Sequence, residues 1–126
     1  MIFGTGIDIV EIKRLTASIQ RYGDAFLNRV YAPEELKAAP SSEQTRATYF
    51  AGRWAVKEAV SKALGTGIGA SCAMTDVIVT NDAAGKPILQ LQGSAAETAH
   101  TLGIAKIHIS ISHERDYAVA QAIAEN

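Results

Sequence analysis

The 126-residue chain predicts an α+β fold in which a mostly antiparallel sheet packs against one long helix. Three observations carry that expectation. The stretch Glu43 to Leu64 has no proline and one glycine, and it ends on Gly65, a C-terminal stop for a long helix. Ile107, Ile109 and Ile111 alternate with His108, Ser110 and Ser112, the period of two that marks a strand. In Tyr117 to Ile123 (YAVAQAI) alternate positions are alanine, as expected of a strand face closely covered by a helix.

The other elements follow from local patterns. Phe3 to Val10 is short and rich in β-branched residues and reads as a strand. From Ile12 to Val30, apolar residues at Ile12, Leu15, Ile19, Phe26, Leu27 and Val30 keep a helical period, interrupted at Tyr22 and Gly23. Pro33 with Glu34 and Glu35 suits the first turn of a short helix, where proline costs no hydrogen bond and acids meet the positive dipole end. Pro40, Ser41 and Ser42 end it. Thr75–Thr80 and Ile88–Gln92 read as strands flanking the turn-rich NDAAGKP, a hairpin with a wide loop. Ser94 and Glu97 fit a capping box for a helix running through Leu102, with Gly103 as its stop. HERD then forms a turn before the last strand.

Size and composition point to one domain over residues 1–126, with 48% apolar and 20% charged residues. A net charge of -1 announces neither nucleic acid nor membrane as a partner. Cys72 is the single cysteine, so no internal disulfide is expected. MIFGTGIDIVEI lacks the pattern of a signal peptide and no apolar run approaches a bilayer span, which makes a cytoplasmic location the expectation. Charge is nonetheless uneven. Nine of twelve Lys and Arg residues lie between Lys13 and Lys62. Arg14 and Arg21, seven apart, form a basic ridge on a helix: either a solvated face or a docking surface for an acidic partner.

On the long helix, at about 100° per residue, Arg53, Lys57 and Ser61 form a polar stripe that reads as the solvent face. Gly52, Val56, Ala59, Val60 and Ala63 form the apolar side. Glu58 and Lys62 form a second polar stripe, set among Phe50, Trp54, Ala51, Ala55 and Ala59. This pair is either an exposed i,i+4 ion pair of the kind worth a few tenths of a kcal/mol, or a functional pair held on a covered face. Asp8 raises the same question between Ile7 and Ile9: a polar position of an alternating strand, or an acid a site requires. If strand and helix pack together, Asp8 and Glu58 face one site. Two carboxylates with open coordination positions suit Mg²⁺ when phosphate and water complete the octahedron, and Lys62 would then meet the phosphate as a point charge. Gly65, Thr66, Gly67, Ile68 and Gly69 either cap the helix or let backbone approach a ligand.

GIDIVEI, RWAVKEAVSKALGTG and ISISHERDYAVA, in this order and spacing, resemble the holo-[acyl-carrier-protein] synthases, the small type of 4′-phosphopantetheinyl transferase. NDAAGKP resembles that family's loop between two central strands. The resemblance implies a Mg²⁺-dependent transfer of 4′-phosphopantetheine from coenzyme A to a serine of an acidic apo-acyl carrier protein in fatty acid biosynthesis. It implies a homotrimer with each active site between subunits. It assigns the metal to Asp8 and Glu58, the phosphates to Lys62, and the base to Glu58 or a water. By the same implication coenzyme A meets Arg53, Lys62, Gly65, Thr66, Gly67 and His113, and the carrier docks on Arg14 and Arg21. Taken alone, His113 in a turn and Arg53 on its stripe also fit plain solvation, and His100, His108 and Ser110 read as structural. A Mg²⁺-dependent phosphoesterase and a non-catalytic module for acidic proteins are the alternatives.

Overall fold

The computed structural model describes all 126 residues. In chain order, β1 (Ile2–Glu11) runs directly into α1 (Ile12–Tyr22) and, past Gly23, into α2 (Asp24–Val30). Next come α3 (Pro33–Lys37) and α4 (Glu43–Leu64), the latter at its predicted bounds. A 3₁₀ turn at Met74–Asp76 leads to β2 (Val77–Asn81) and β3 (Pro87–Leu91). Finally α5 (Gly93–Thr101) precedes β4 (Lys106–Glu114) and β5 (Tyr117–Glu125). No helix is long and apolar enough to cross a membrane.

The expected sheet divides in two. β1, β5 and β4 form an antiparallel sheet in the order β1-β5-β4, and β2 and β3 form a separate hairpin. Met74–Asp76, expected to begin the β2 strand at Thr75, turns instead, while Gly4 to Gly6 lie within β1. Ser94 caps nothing: helix α5 begins at Gly93, and the Ser94 hydroxyl and amide both donate to Asp76, at 2.7 and 2.8 Å. A carboxylate from the neighbouring turn supplies what the capping box would have.

Helix α4 lies across the inner face of the sheet. Ala118, Ala120, Ala122 and Ala124 of β5 are buried against it, as the alternating alanines predicted. Their inward direction means that they close the core of this chain and leave nothing for a subunit contact. β1 comes closer still. A Cβ on Gly6 would overlap the carbonyl oxygen of Ala59, and one on Gly4 that of Ala63. Only glycine permits this backbone-to-backbone approach.

Strand parity sets the direction of Asp8. Gly4, Gly6 and Asp8 share the face of β1 turned to α4, so this acid is delivered to the helix. The opposite face carries exposed Phe3, Ile7 and Ile9 on β1, with Val119 and Ile123 beside them on β5.

One stripe on α4 is reversed from expectation. Arg53, Lys57 and Ser61 are not the solvent face: Arg53 is 8% exposed, and Lys57 and Ser61 not at all. Arg53 and Lys57 reach α3 and the β2 hairpin, while the Ser61 hydroxyl donates to the Glu58 carbonyl of its own helix. Lys57 Nζ lies 2.7 Å from Glu35 Oε1 and donates to the carbonyls of Met74 and Val77. Glu35 also accepts from the amides of Ala32 and Val79. The charges are tolerated inside because they are paired and each is further hydrogen-bonded to backbone groups.

Candidate active site

The close approach of β1 to α4 brings three predicted residues together at the last turns of the helix. Lys62 Nζ donates to the carbonyl of Ile7 at 2.8 Å and lies 3.3 Å from Asp8 Oδ1. The Asp8 side chain is 16% exposed and that of Lys62 is 49%. Glu58, one turn before Lys62, is half-buried beside them. Burial pushes its carboxyl above the usual glutamate range, and the neighbouring Asp8 charge pushes it further, against the opposing pull of Lys62. Two carboxylates close enough to repel, with one ammonium to offset them, form a site that favours additional positive charge.

No group of three or more His, Cys, Asp or Glu side chains converges anywhere in the chain. Asp8 and Glu58 are a pair of carboxylates, fewer donors than such a group would supply. Two carboxylates fit a hard cation that completes its octahedron with water and phosphate oxygens; they do not fit a cation requiring an all-protein cage.

A second cluster lies elsewhere on α4. A cleft of about 450 Å³ is lined by Arg53, His113 and Arg115, with Thr45, Thr48 and Tyr49 among the other residues. The Arg53 guanidinium stacks 4.0 Å over the Tyr49 ring, and its Nη2 donates to Asn81 Oδ1 at 3.0 Å. Its Nε is buried without a hydrogen-bond partner. Two arginines and a histidine around one open cleft suit an anion. The residues sequence reasoning missed here are Tyr49, Asn81 and Arg115. Tyr49 stands four residues before Arg53, one helical turn away, and Asn81 opens the NDAAGKP loop; both signals were present.

The other predicted residues are dispersed. Gly65 ends α4 at φ 82° with its amide on the Lys62 carbonyl, and Thr66 and Gly67 donate to the Ser61 carbonyl, so this segment is a helix cap. Gly65 and Thr66 also line a groove of about 530 Å³ against α5. Arg14 and Arg21 are exposed on α1. His108, expected to be structural, pairs with Glu125 at 2.9 Å on the outer sheet face.

Comparison with known proteins identifies the family of the chain. A sequence-family profile described as the 4′-phosphopantetheinyl transferase superfamily matches residues 4–122. A holo-[acyl-carrier-protein] synthase of Edwardsiella ictaluri is 51% identical over 124 residues, covering 98% of each protein. The crystal structure of a holo-[acyl-carrier-protein] synthase from Neisseria meningitidis superposes with a TM-score of 0.92 at 36% identity over 100% of both chains. That from Helicobacter pylori, solved in complex with coenzyme A, superposes at 0.84 with 30% identity, over 96% of this chain and 99% of its own.

Proposed function

The chain belongs to the 4′-phosphopantetheinyl transferase superfamily, and on that premise we propose that it is a holo-[acyl-carrier-protein] synthase: it transfers 4′-phosphopantetheine from coenzyme A to a serine of apo-acyl carrier protein, releasing adenosine 3′,5′-bisphosphate, in service of fatty acid biosynthesis. The observation that carries this reading is the convergence of Asp8, Glu58 and Lys62 where β1 meets α4.

The reaction makes a bond from the serine oxygen to the pantetheine-bearing phosphorus and breaks the bond from that phosphorus to the bridging oxygen of the diphosphate. The serine proton must leave, and charge accumulates on the departing phosphate. Catalysis of such a transfer is mainly positioning and charge neutralisation. Asp8 and Glu58 would hold Mg²⁺, which when bound neutralises the diphosphate and polarises the phosphorus. Lys62, at the rim of the site and mobile on its stem, would set its ammonium against the phosphates. Glu58, or a water that the metal would hold, is the candidate acceptor of the serine proton. Arg53 and His113 would bind another phosphate of the nucleotide, with Tyr49 and Asn81 fixing the Arg53 plane. The exposed Arg14 and Arg21 would steer the acidic carrier to α1.

A homotrimer with shared sites is supported by the outer face of the sheet. Ile7 and Ile9 are each 63% exposed and Phe3 40%, a run of apolar surface that a soluble monomer seldom carries. The Arg53–His113 cleft and the Asp8–Glu58–Lys62 cluster occupy different sides of α4, so one coenzyme A would bridge clusters of neighbouring subunits.

The test is to incubate the protein with coenzyme A, Mg²⁺ and apo-carrier protein and weigh the carrier. A gain of one phosphopantetheine is expected. Release of phosphopantetheine without attachment would assign a phosphoesterase, and carrier binding without chemistry a docking module.

A further inference from the structure

Lys62 does more than wait for phosphate. Its ammonium is held at two points of β1, the Ile7 carbonyl at 2.8 Å and Asp8 Oδ1 at 3.3 Å. It thus lies against one of the two carboxylates that the proposed function gives to a divalent cation. Asp8, Glu58 and Lys62 together carry a formal charge of -1, where the two acids alone would carry -2. An ammonium beside Asp8 and a divalent ion on Asp8 repel each other, and at the 16% exposure of that carboxylate water screens the repulsion only in part. The Lys62 side chain is itself 49% exposed, on a flexible four-carbon stem. It can leave Asp8 when a better anion arrives, and a diphosphate ester is such an anion.

We propose, on the reading of Asp8 and Glu58 as cation ligands, that Lys62 is a competing cation that makes metal binding depend on the diphosphate. Without the diphosphate the ammonium stays on Asp8 and the divalent ion binds weakly. With it, Lys62 transfers to the phosphates, Asp8 is released to the metal, and the phosphate oxygens complete the coordination. Metal and coenzyme A therefore bind synergistically, and by linkage each raises the affinity of the other by one and the same factor. Loading the ion together with its substrate keeps a bare, charged metal centre from forming.

The probe is Mn²⁺, with the free ion counted by electron paramagnetic resonance, and no carrier protein is added, so that no turnover occurs. Wild type, Lys62→Met and Lys37→Met are titrated with and without coenzyme A, each corrected for Mn²⁺ bound by coenzyme A itself. Lys37 is exposed at the end of α3 and serves as the control for loss of one positive charge. In wild type and Lys37→Met, coenzyme A should tighten Mn²⁺ binding about tenfold or more. Lys62→Met should bind Mn²⁺ alone roughly five- to tenfold more tightly than wild type and gain far less from coenzyme A. Mn²⁺ affinity of Lys62→Met alone that is unchanged, weaker or undetectable overturns the competition. Absence of Mn²⁺ binding by wild type even with coenzyme A, or binding that survives Asp8→Asn undiminished, overturns instead the assignment of the metal ligands.

Discussion

Lys57 and Glu35 form an ion pair at 2.7 Å with neither side chain exposed. Burial lowers the Lys57 pKa, and the Glu35 carboxylate opposes that pull. The pair ties α4 to α3, and through Met74, Val77 and Val79 to the β2 hairpin. Removing one partner strands the other charge in the core. Glu35→Ala and Lys57→Ala should each cost about 3–5 kcal/mol, read from denaturant unfolding. The double variant Glu35→Leu/Lys57→Met should recover only part of that loss, because it leaves no charge buried but strips the amides of Ala32 and Val79 and the carbonyls of Met74 and Val77 of their partners.

Glu58 should weaken the fold it serves. Its pKa is raised by burial and by Asp8, so the folded protein binds the proton more tightly than the unfolded chain. The extra stability is complete below the unfolded glutamate value of about 4.3 and is lost as pH rises through the folded value. At neutral pH the ionised carboxylate is therefore a net cost. Glu58→Gln should raise the thermal midpoint at pH 7 without divalent ions, and the gain should shrink toward pH 4. The same variant should lose transfer activity.

Gly6→Ala should be among the most damaging small substitutions. Its Cβ would overlap the Ala59 carbonyl, which is backbone and cannot turn aside. We expect a loss of about 3 kcal/mol or more by chemical denaturation. Gly69→Ala, with open space at its Cβ and an ordinary φ, should change stability by less than about 0.5 kcal/mol.

On the proposed homotrimer, Ile7→Lys/Ile9→Lys should separate the subunits. Both side chains are more than half exposed on the outer sheet face and neither supports the core of one chain. Light scattering should shift from trimer to monomer while circular dichroism stays unchanged, and activity should fall with the assembly.

Arg14→Glu/Arg21→Glu should raise KM for the carrier several-fold at low salt with little change in kcat, because exposed charges act mainly on encounter. The dependence of the wild-type reaction on ionic strength should flatten in the variant.

Much of the site was legible because it depends on periodicity. Gly4, Gly6 and Asp8 have one parity on β1, and Glu58 and Lys62 are one turn apart on α4, so the meeting of the three requires only that strand and helix pack. The bounds of α4 were likewise set locally, by the break at Pro40, Ser41 and Ser42 before it and Gly65 after it. The Arg53–Lys57–Ser61 stripe was not legible, since its burial depends on Glu35, an acid 22 residues before Lys57 that locally suits a helix first turn. A helix wheel shows polarity but not the partner that makes polarity tolerable inside. Ser94 failed for the same reason, the competitor being Asp76 from another element.

The glycine and alanine seam between β1, β5 and α4 also bears on how this enzyme can be engineered. Filling that seam with larger side chains is the usual route to a sturdier domain, yet here the thinness of the seam is the ruler that sets Asp8 against Glu58. Thermostabilising changes belong on the hairpin of β2 and β3 and on α5, where added bulk would leave the distance between the two acids untouched.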